Sequence, residues 1–359
     1  MTRSAKLLCL SVSGFAALVG CGVFGGGGVP GQQIGNSFAT ATPVTLDADG
    51  KAALGSSLAG NKIDVYDIGP CNPGDRIIAS IVPTTGSFLD PVMAIFDANE
   101  DLFILNDDVD FASGRLDSAV DEVVSVASPK FYLAVSKFAF SGQDGAYLGS
   151  LEVQRGVPIP PPFAQVILLN FAGGSVDIPS EGTINVDPFD AADIDPIYAG
   201  QTMQIKNTII NTVKENFAEF GVVIATSDDP SPPANPFSTI EFGAFSGTKF
   251  GIAQSVDAGN LDRCDDGIVF TDNFDDPFLN QPDVVGIGVA IGNVAAHEAG
   301  HLLGLNHVAD ILDLMDTTGS ASTLLADQTF QTSPLSTSIF PIGNQNAPAI
   351  LNRIIPPPP

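Results

Sequence analysis

His297-Glu298-Ala299-Gly300-His301 sets two imidazoles four residues apart with a carboxylate between them. On a helix that spacing puts both rings on one face, a turn apart, within reach of a single ion. Gly304 has no Cβ and permits a sharp left-handed turn after such a helix, and His307, three residues on, can return to the same ion. Three neutral imidazoles suit Zn²⁺ and leave a fourth tetrahedral position for water or a substrate carbonyl. An ion held this way lowers the pKa of its water to about 7 and polarises a carbonyl. Glu298 can point into the cleft without ligating, so it is assigned as general base, taking the water's proton and delivering it to a leaving amine. A single five-residue motif arises easily by chance. Here, however, the chain has only three histidines, and all three fall at the required spacings. These residues predict a zinc metalloendopeptidase that hydrolyses peptide bonds in proteins or peptides.

The elements that must carry this constellation can be read around it. Residues 284–296 (VVGIGVAIGNVAA) are apolar and small, as expected of a buried helix, although their glycines blur where it begins. Residues 164–171 read as a buried strand. From 199 to 220, Met203, Ile205, Ile209, Ile210, Val213, Phe217 and Phe220 recur at helical spacing. Further strands are expected at 222–226, 238–245 and 267–272, with a proline-rich loop at 228–236 and a last helix near 349–354. The order predicts an α/β (α+β) catalytic domain over residues 164–355, with helices on a twisted sheet, followed by a proline tail at 356–359.

At the ligand residues the chain resembles the metzincin zinc peptidases, whose extended motif H-E-x-x-H-x-x-G-x-x-H is matched by His297, Glu298, His301, Gly304 and His307. The family also places a methionine turn beneath its metal. Leu314-Met315-Asp316 fits that turn at a spacing similar to that of matrixins, and Met315 would then form an apolar floor under the ligands. Two features depart from the matrixin pattern. Val308 follows the third histidine where matrixins favour serine, which leaves the subfamily open. Cys71, flanked by Pro70 and Asn72, does not match a cysteine switch.

Ahead of this domain, residues 36–155 show short apolar alternations between turn residues, such as Ile77, Ala79, Ile81 and Phe131, Leu133, Val135. This pattern predicts an all-β antiparallel sandwich. Asp64-Val65-Tyr66-Asp67, Pro73-Gly74-Asp75, Leu89-Asp90-Pro91 leading into Val92-Met93-Ala94-Ile95-Phe96, and Asn106-Asp107-Asp108 resemble the bacterial pre-peptidase C-terminal domain. That resemblance implies an accessory module for binding, localisation or stability. A stiff proline-rich linker at 156–163 separates the two domains.

The first residues read as an address. Arg3 and Lys6 precede an apolar run that ends in Leu18-Val19-Gly20-Cys21, which resembles a bacterial lipobox. Residues 1–20 are thus expected to be a lipoprotein signal peptide, with Cys21 the lipidated residue and 21–35 a glycine-rich tether. The protein is then an exported, lipid-anchored envelope or surface protein, or otherwise a secreted one. With 41 acidic against 14 basic residues and a formal charge of −27, it lacks the basic footprint of a nucleic-acid binder.

Cys71 and Cys264 can bridge in an oxidising compartment and can equally stand as two free thiols. Asp257, Asn260, Asp262, Asp265 and Asp266 crowd one glycine-containing loop, a composition that suits Ca²⁺ and equally suits a plain solvated acidic loop. The competing functional reading is a surface-binding or adhesion lipoprotein whose zinc site is vestigial or structural. Glu298 argues against it, because a structural site has no use for an unligated carboxylate beside its histidines.

Overall fold

The computed structural model describes residues 34–109, 114–140 and 143–358. The expected signal peptide, the lipidation site Cys21 and all but the last residues of the tether lie outside that range. The chain divides into two units, one of residues up to Pro161 joined by Pro334–Asn346, the other of Pro162–Ser333 and Ala347–Pro359. No helix among the described residues is long and apolar enough to cross a membrane.

The first unit is a two-layer sandwich. Strands β1 (Thr42–Pro43), β3 (Asp64–Cys71), β8 (Ser128–Lys137), β5 (Pro91–Asp97) and β6 (Leu102–Asn106) form one sheet in that order. The other sheet contains β2 (Lys51–Leu58), β9 (Gly145–Gln154), β4 (Arg76–Pro83) and β7 (Ser118–Val123). All pairings are antiparallel except the two-residue contact of β1 with β3. The alternation seen in the sequence is the packing pattern, since Ile77, Ala79 and Ile81 meet Phe131, Leu133 and Val135 in one buried cluster. One boundary differs from expectation. Residues 334–346, read as part of the catalytic domain, pack in this unit, where Leu335 and Phe340 join Phe38 and Phe96 in a cluster and Asn344 N–H donates to Glu100 O. The apolar side chains concerned are too sparse in the sequence to announce a period.

The second unit is built on a five-stranded sheet. Its strands are β10 (Gln165–Asn170), β13 (Val222–Thr226), β14 (Ser238–Phe242), β15 (Gly251–Ala253) and β16 (Asp266–Val269), in the order β13-β10-β14-β16-β15. The first four strands of that order run parallel, and β15 closes one edge antiparallel to β16. A hairpin of β11 (Gly174–Ile178) and β12 (Gly182–Val186), not anticipated from the sequence, shares a cluster with Ile268 and Phe270. A short helix α1 (Ala191–Ile194) precedes α2 (Thr202–Asn216), and after the sheet come α3 (Val284–Leu302) and α4 (Ala347–Ile354). Ile205, Ile209 and Val213 of α2 and Ile287, Ile291 and Val294 of α3 bury against Ile167, Leu169, Ile240 and Phe242 of the sheet. Met203, counted in the helical stripe, instead faces solvent.

Helix α3 begins where Asp283 caps it, its carboxylate accepting the Gly286 N–H at 2.8 Å. The glycines inside it are there for packing. A Cβ on Gly288 would lie 2.5 Å from Thr208 Cβ, and one on Gly292 would lie 2.6 Å from Thr212 Cβ, so the missing side chains let α2 and α3 approach closely. In a free helix Gly292→Ala would stabilise by about 1 kcal/mol. Here the overpacking term, about 1–3 kcal/mol, opposes it. Gly292→Ala is expected to lower the urea midpoint, and a raised midpoint would contradict this reading of the helix pair.

Candidate metal centre

Helix α3 ends in a Schellman motif one turn after the second histidine. Gly304 N–H donates to His301 O at 2.9 Å, Leu305 N–H donates to Gly300 O at 2.9 Å, and Gly304 has φ +83°. The reversal carries the Leu305 carbonyl back to the helix, where His301 Nδ1 donates to it at 2.7 Å. It also delivers His307 to the open side of the same ring. The His307 Nε2 lies 2.9 Å from His301 Nε2, and His297 Nε2 lies 3.1 Å from it on the other side. Among the described residues these three histidines are the one group of three or more His, Cys, Asp or Glu whose ligand atoms converge, all within 4.8 Å of one another.

The tautomers follow from the partners. His297 Nδ1 is 2.8 Å from the Leu314 carbonyl and His301 Nδ1 is 2.7 Å from the Leu305 carbonyl; a carbonyl only accepts, so both Nδ1 atoms carry the proton. Both Nε2 atoms are then bare lone pairs, aimed at each other and at His307. Burial lowers the pKa of all three rings, and the neighbouring rings add to this at His301, which falls well below the usual value, and at His307, which falls to about 4. Neutral imidazoles with lone pairs facing one another at 3 Å repel unless a cation sits among them. Tetrahedral zinc ligands at 2.0–2.1 Å are about 3.3 Å apart, close to the spacing seen, so the donor set fits Zn²⁺.

Glu298, 5% exposed, lies against β15 and is not among the converging ligand atoms of the three histidines. Burial raises its carboxyl to about 8, against the opposing effect of an N–H donated by Ala253 on the edge strand β15. Met315 is fully buried, and a Cβ on Gly300 would lie 2.6 Å from its sulfur, so the glycine within the histidine motif makes room for the methionine.

Sequence reasoning missed Asp313. This fully buried carboxylate accepts the Met315 N–H at 2.9 Å and the Ser333 hydroxyl at 2.7 Å, with the Gln331 backbone as a third donor. It thereby holds the turn whose Leu314 carbonyl orients His297. Nothing marks it in a chain with 41 acidic residues, and the two orienting carbonyls are backbone atoms that no sequence displays.

The acidic loop does not gather into an ion site. The Asp257 carboxylate accepts the Asp262 N–H, the Asp262 carboxylate accepts the Cys264 N–H, and Asn260 donates to Gln165. Asp265 accepts the Ser238 hydroxyl. No three acidic ligand atoms among the described residues converge there. Calcium is therefore unsupported, and the backbone of the loop has another place: Asp257 N–H donates to His301 O, and Asp257 O lies 2.7 Å from where a Gly304 Cβ would be. The loop buttresses the Schellman turn. Of the two alternatives open for Cys71, the free thiol is the one found: it is buried, and burial raises it to about 11.

No protein-family profile matches the sequence. No curated protein matches it either. Among solved structures the chain is similar to an archaemetzincin from Methanopyrus kandleri, with 12% identity, 46% of this chain and 88% of that chain covered, and a TM-score of 0.28. A zinc-dependent peptidase from Methanocorpusculum labreanum matches at 12% identity over 46% of this chain and 93% of that one, TM-score 0.26. A pre-peptidase C-terminal domain of a collagenase from Bacillus anthracis matches at 17% identity over 32% of this chain and 93% of that one, TM-score 0.23. At these scores no residue role passes from those proteins to this one.

Two outcomes test the geometry. Asp313→Ala should weaken zinc binding by about 10–100-fold in a chelator competition while the far-UV spectrum is kept; unchanged affinity would show that the turn needs no such support. Asp265, buried and raised to about 8 chiefly by that burial, is protonated in the folded protein while ionised in the unfolded chain. Its contribution to stability is therefore full below pH ~4 and is lost as pH rises to about 8. Asp265→Asn should gain melting temperature relative to wild type as pH goes from 5 to 8, and a constant difference would contradict the assignment.

Proposed function

We propose that this protein is a zinc-dependent endopeptidase of metzincin type, acting on proteins or peptides outside the cytoplasm. The observation that carries the reading is a division of labour along α3 and the turn after it: His297, His301 and His307 bring their ring nitrogens together, while the buried carboxylate of Glu298 takes the Ala253 N–H instead of joining them. A structural site would leave that carboxylate without a purpose. Zinc bound there would supply Lewis acidity and a water of lowered pKa. Glu298 takes the proton from the attacking water and gives it to the leaving nitrogen, the general acid/base role of a carboxylate that does not ligate the ion.

Strand β15 lies at the sheet edge next to Glu298, with one row of backbone groups facing away from β16. An extended peptide is the ligand that pairs with such an edge, which favours a polypeptide substrate over a compact small molecule. The resemblance of the first unit to pre-peptidase C-terminal domains gives it the part of an accessory module, and the lipobox resemblance at Cys21 makes the protein a lipid-anchored envelope enzyme. Secretion without the anchor is the other form this export would take.

Casein digestion by the zinc-loaded protein should fall by about 10²–10⁴ in Glu298→Ala, with one zinc per chain kept. Zinc retained with no cleavage by either protein would sink the enzyme reading and favour a surface-binding lipoprotein.

A further inference from the structure

We propose that Gly251 is a positioning residue for Glu298: the absence of a side chain at this one edge-strand position is what allows the carboxylate to lie beside the metal ligands. The proposal rests on the reading of Glu298 as the general base.

Strand β15 pairs with β16 through Gly251↔Val269, Ile252↔Ile268 and Ala253↔Gly267. The flanking ladder bonds are Phe270 N–H to Phe250 O and Gln254 N–H to Asp266 O. In an antiparallel pair hydrogen-bonded and non-hydrogen-bonded residues alternate. Phe250, Ile252 and Gln254 therefore turn their backbone groups to β16, and Gly251 and Ala253 turn theirs to the open edge. Glu298 takes the Ala253 N–H on that edge, so its carboxyl arm must cross the backbone at Gly251. The crossing is tight. A Cβ on Gly251 would stand 2.8 Å from both Glu298 Cγ and Cδ, and closer still to Oε1.

The glycine is not demanded by the chain's own conformation, because Gly251 is absent from the residues with positive φ. What is demanded is space. Nor can the arm readily swing aside, since Glu298 is buried in the last turns of α3 between His297 and His301. A methyl group at 251 must push the carboxylate off the Ala253 N–H, while the three imidazoles, which hang from α3 and the turn after it and not from β15, stay where they are. Sequence reading could not find this residue, because a three-residue strand has no measurable period and Gly251 is one glycine among 37.

The test is a double-mutant cycle of Gly251→Ala and Glu298→Ala, with Glu298→Asp as a shortened carboxylate. Four quantities are measured on zinc-loaded full-length protein: zinc affinity by chelator competition, melting temperature, and kcat and KM on a fluorogenic peptide cut by the wild type. Gly251→Ala is expected to lower kcat at least ~10-fold with KM within about twofold and zinc affinity unchanged, the pattern of a displaced general base. It should lower the melting temperature when residue 298 is Glu but not when it is Ala, because the smaller side chain vacates the crossing. Combined with Glu298→Asp it should cost less activity than it does in the wild type. Equal loss of melting temperature in both backgrounds, or an unchanged kcat, would overturn the proposal. If Glu298→Ala alone keeps full activity, the general-base reading fails, and the melting cycle still reports separately whether Gly251 and Glu298 meet.

Discussion

The second unit depends on a contact that is repulsive by itself. Two imidazoles cannot each donate from Nδ1 to a carbonyl and also satisfy Nε2 against one another, and yet His297 and His301 are held in that arrangement 3.1 Å apart with His307 on the far side. Neutral rings in a buried cleft have no means of relieving this except a shared cation. The rest of this unit can be understood as what holds these rings together. Helix α3 fixes two of them one turn apart, the Schellman motif at Gly304 returns the third, and two backbone carbonyls set the tautomers.

Those carbonyls bring neighbouring segments under the same constraint. Leu305 O belongs to the turn, and the turn is closed by the acidic loop through Asp257 N–H. Leu314 O belongs to the methionine turn, which Asp313 pins from below and Met315 fills. The glycines of α3 serve the same end by different contacts, Gly288 and Gly292 against α2 and Gly300 against the methionine sulfur. A buried, mostly apolar helix with so many glycines would be a poor helix alone. Tertiary packing makes it a rigid one.

The ligand set was legible in the sequence because side-chain chemistry and helical spacing are both written there: three histidines and no others, with a glutamate and a glycine between. The main strands and α2 were legible for the same reason, as periods of 2 and 3.6 long enough to register. What stayed hidden is of two kinds. Backbone partners, such as the Leu305 and Leu314 carbonyls or the Ala253 N–H, have no residue signature. Short or non-local features, including β15, the β11–β12 hairpin and the return of residues 334–346 to the sandwich, carry too few residues to show a pattern. The loop from Asp257 to Asp266 suited both calcium and a plain acidic loop in sequence; in the fold several of its carboxylate oxygens accept N–H and O–H groups of their own surroundings, and no three acidic ligand atoms converge there among the described residues. The pairing of Cys71 stayed open in the sequence because spacing along a chain says nothing of distance in space.

The central claim is that three histidines and no other side chain hold one zinc with a position left open. X-ray absorption at the zinc edge of the stoichiometrically loaded protein tests it most directly. The account predicts three imidazole nitrogens at about 2.0–2.1 Å with a single additional light-atom ligand. A sulfur shell near about 2.3 Å, or a fourth protein ligand from a carboxylate that closes the site, would contradict it.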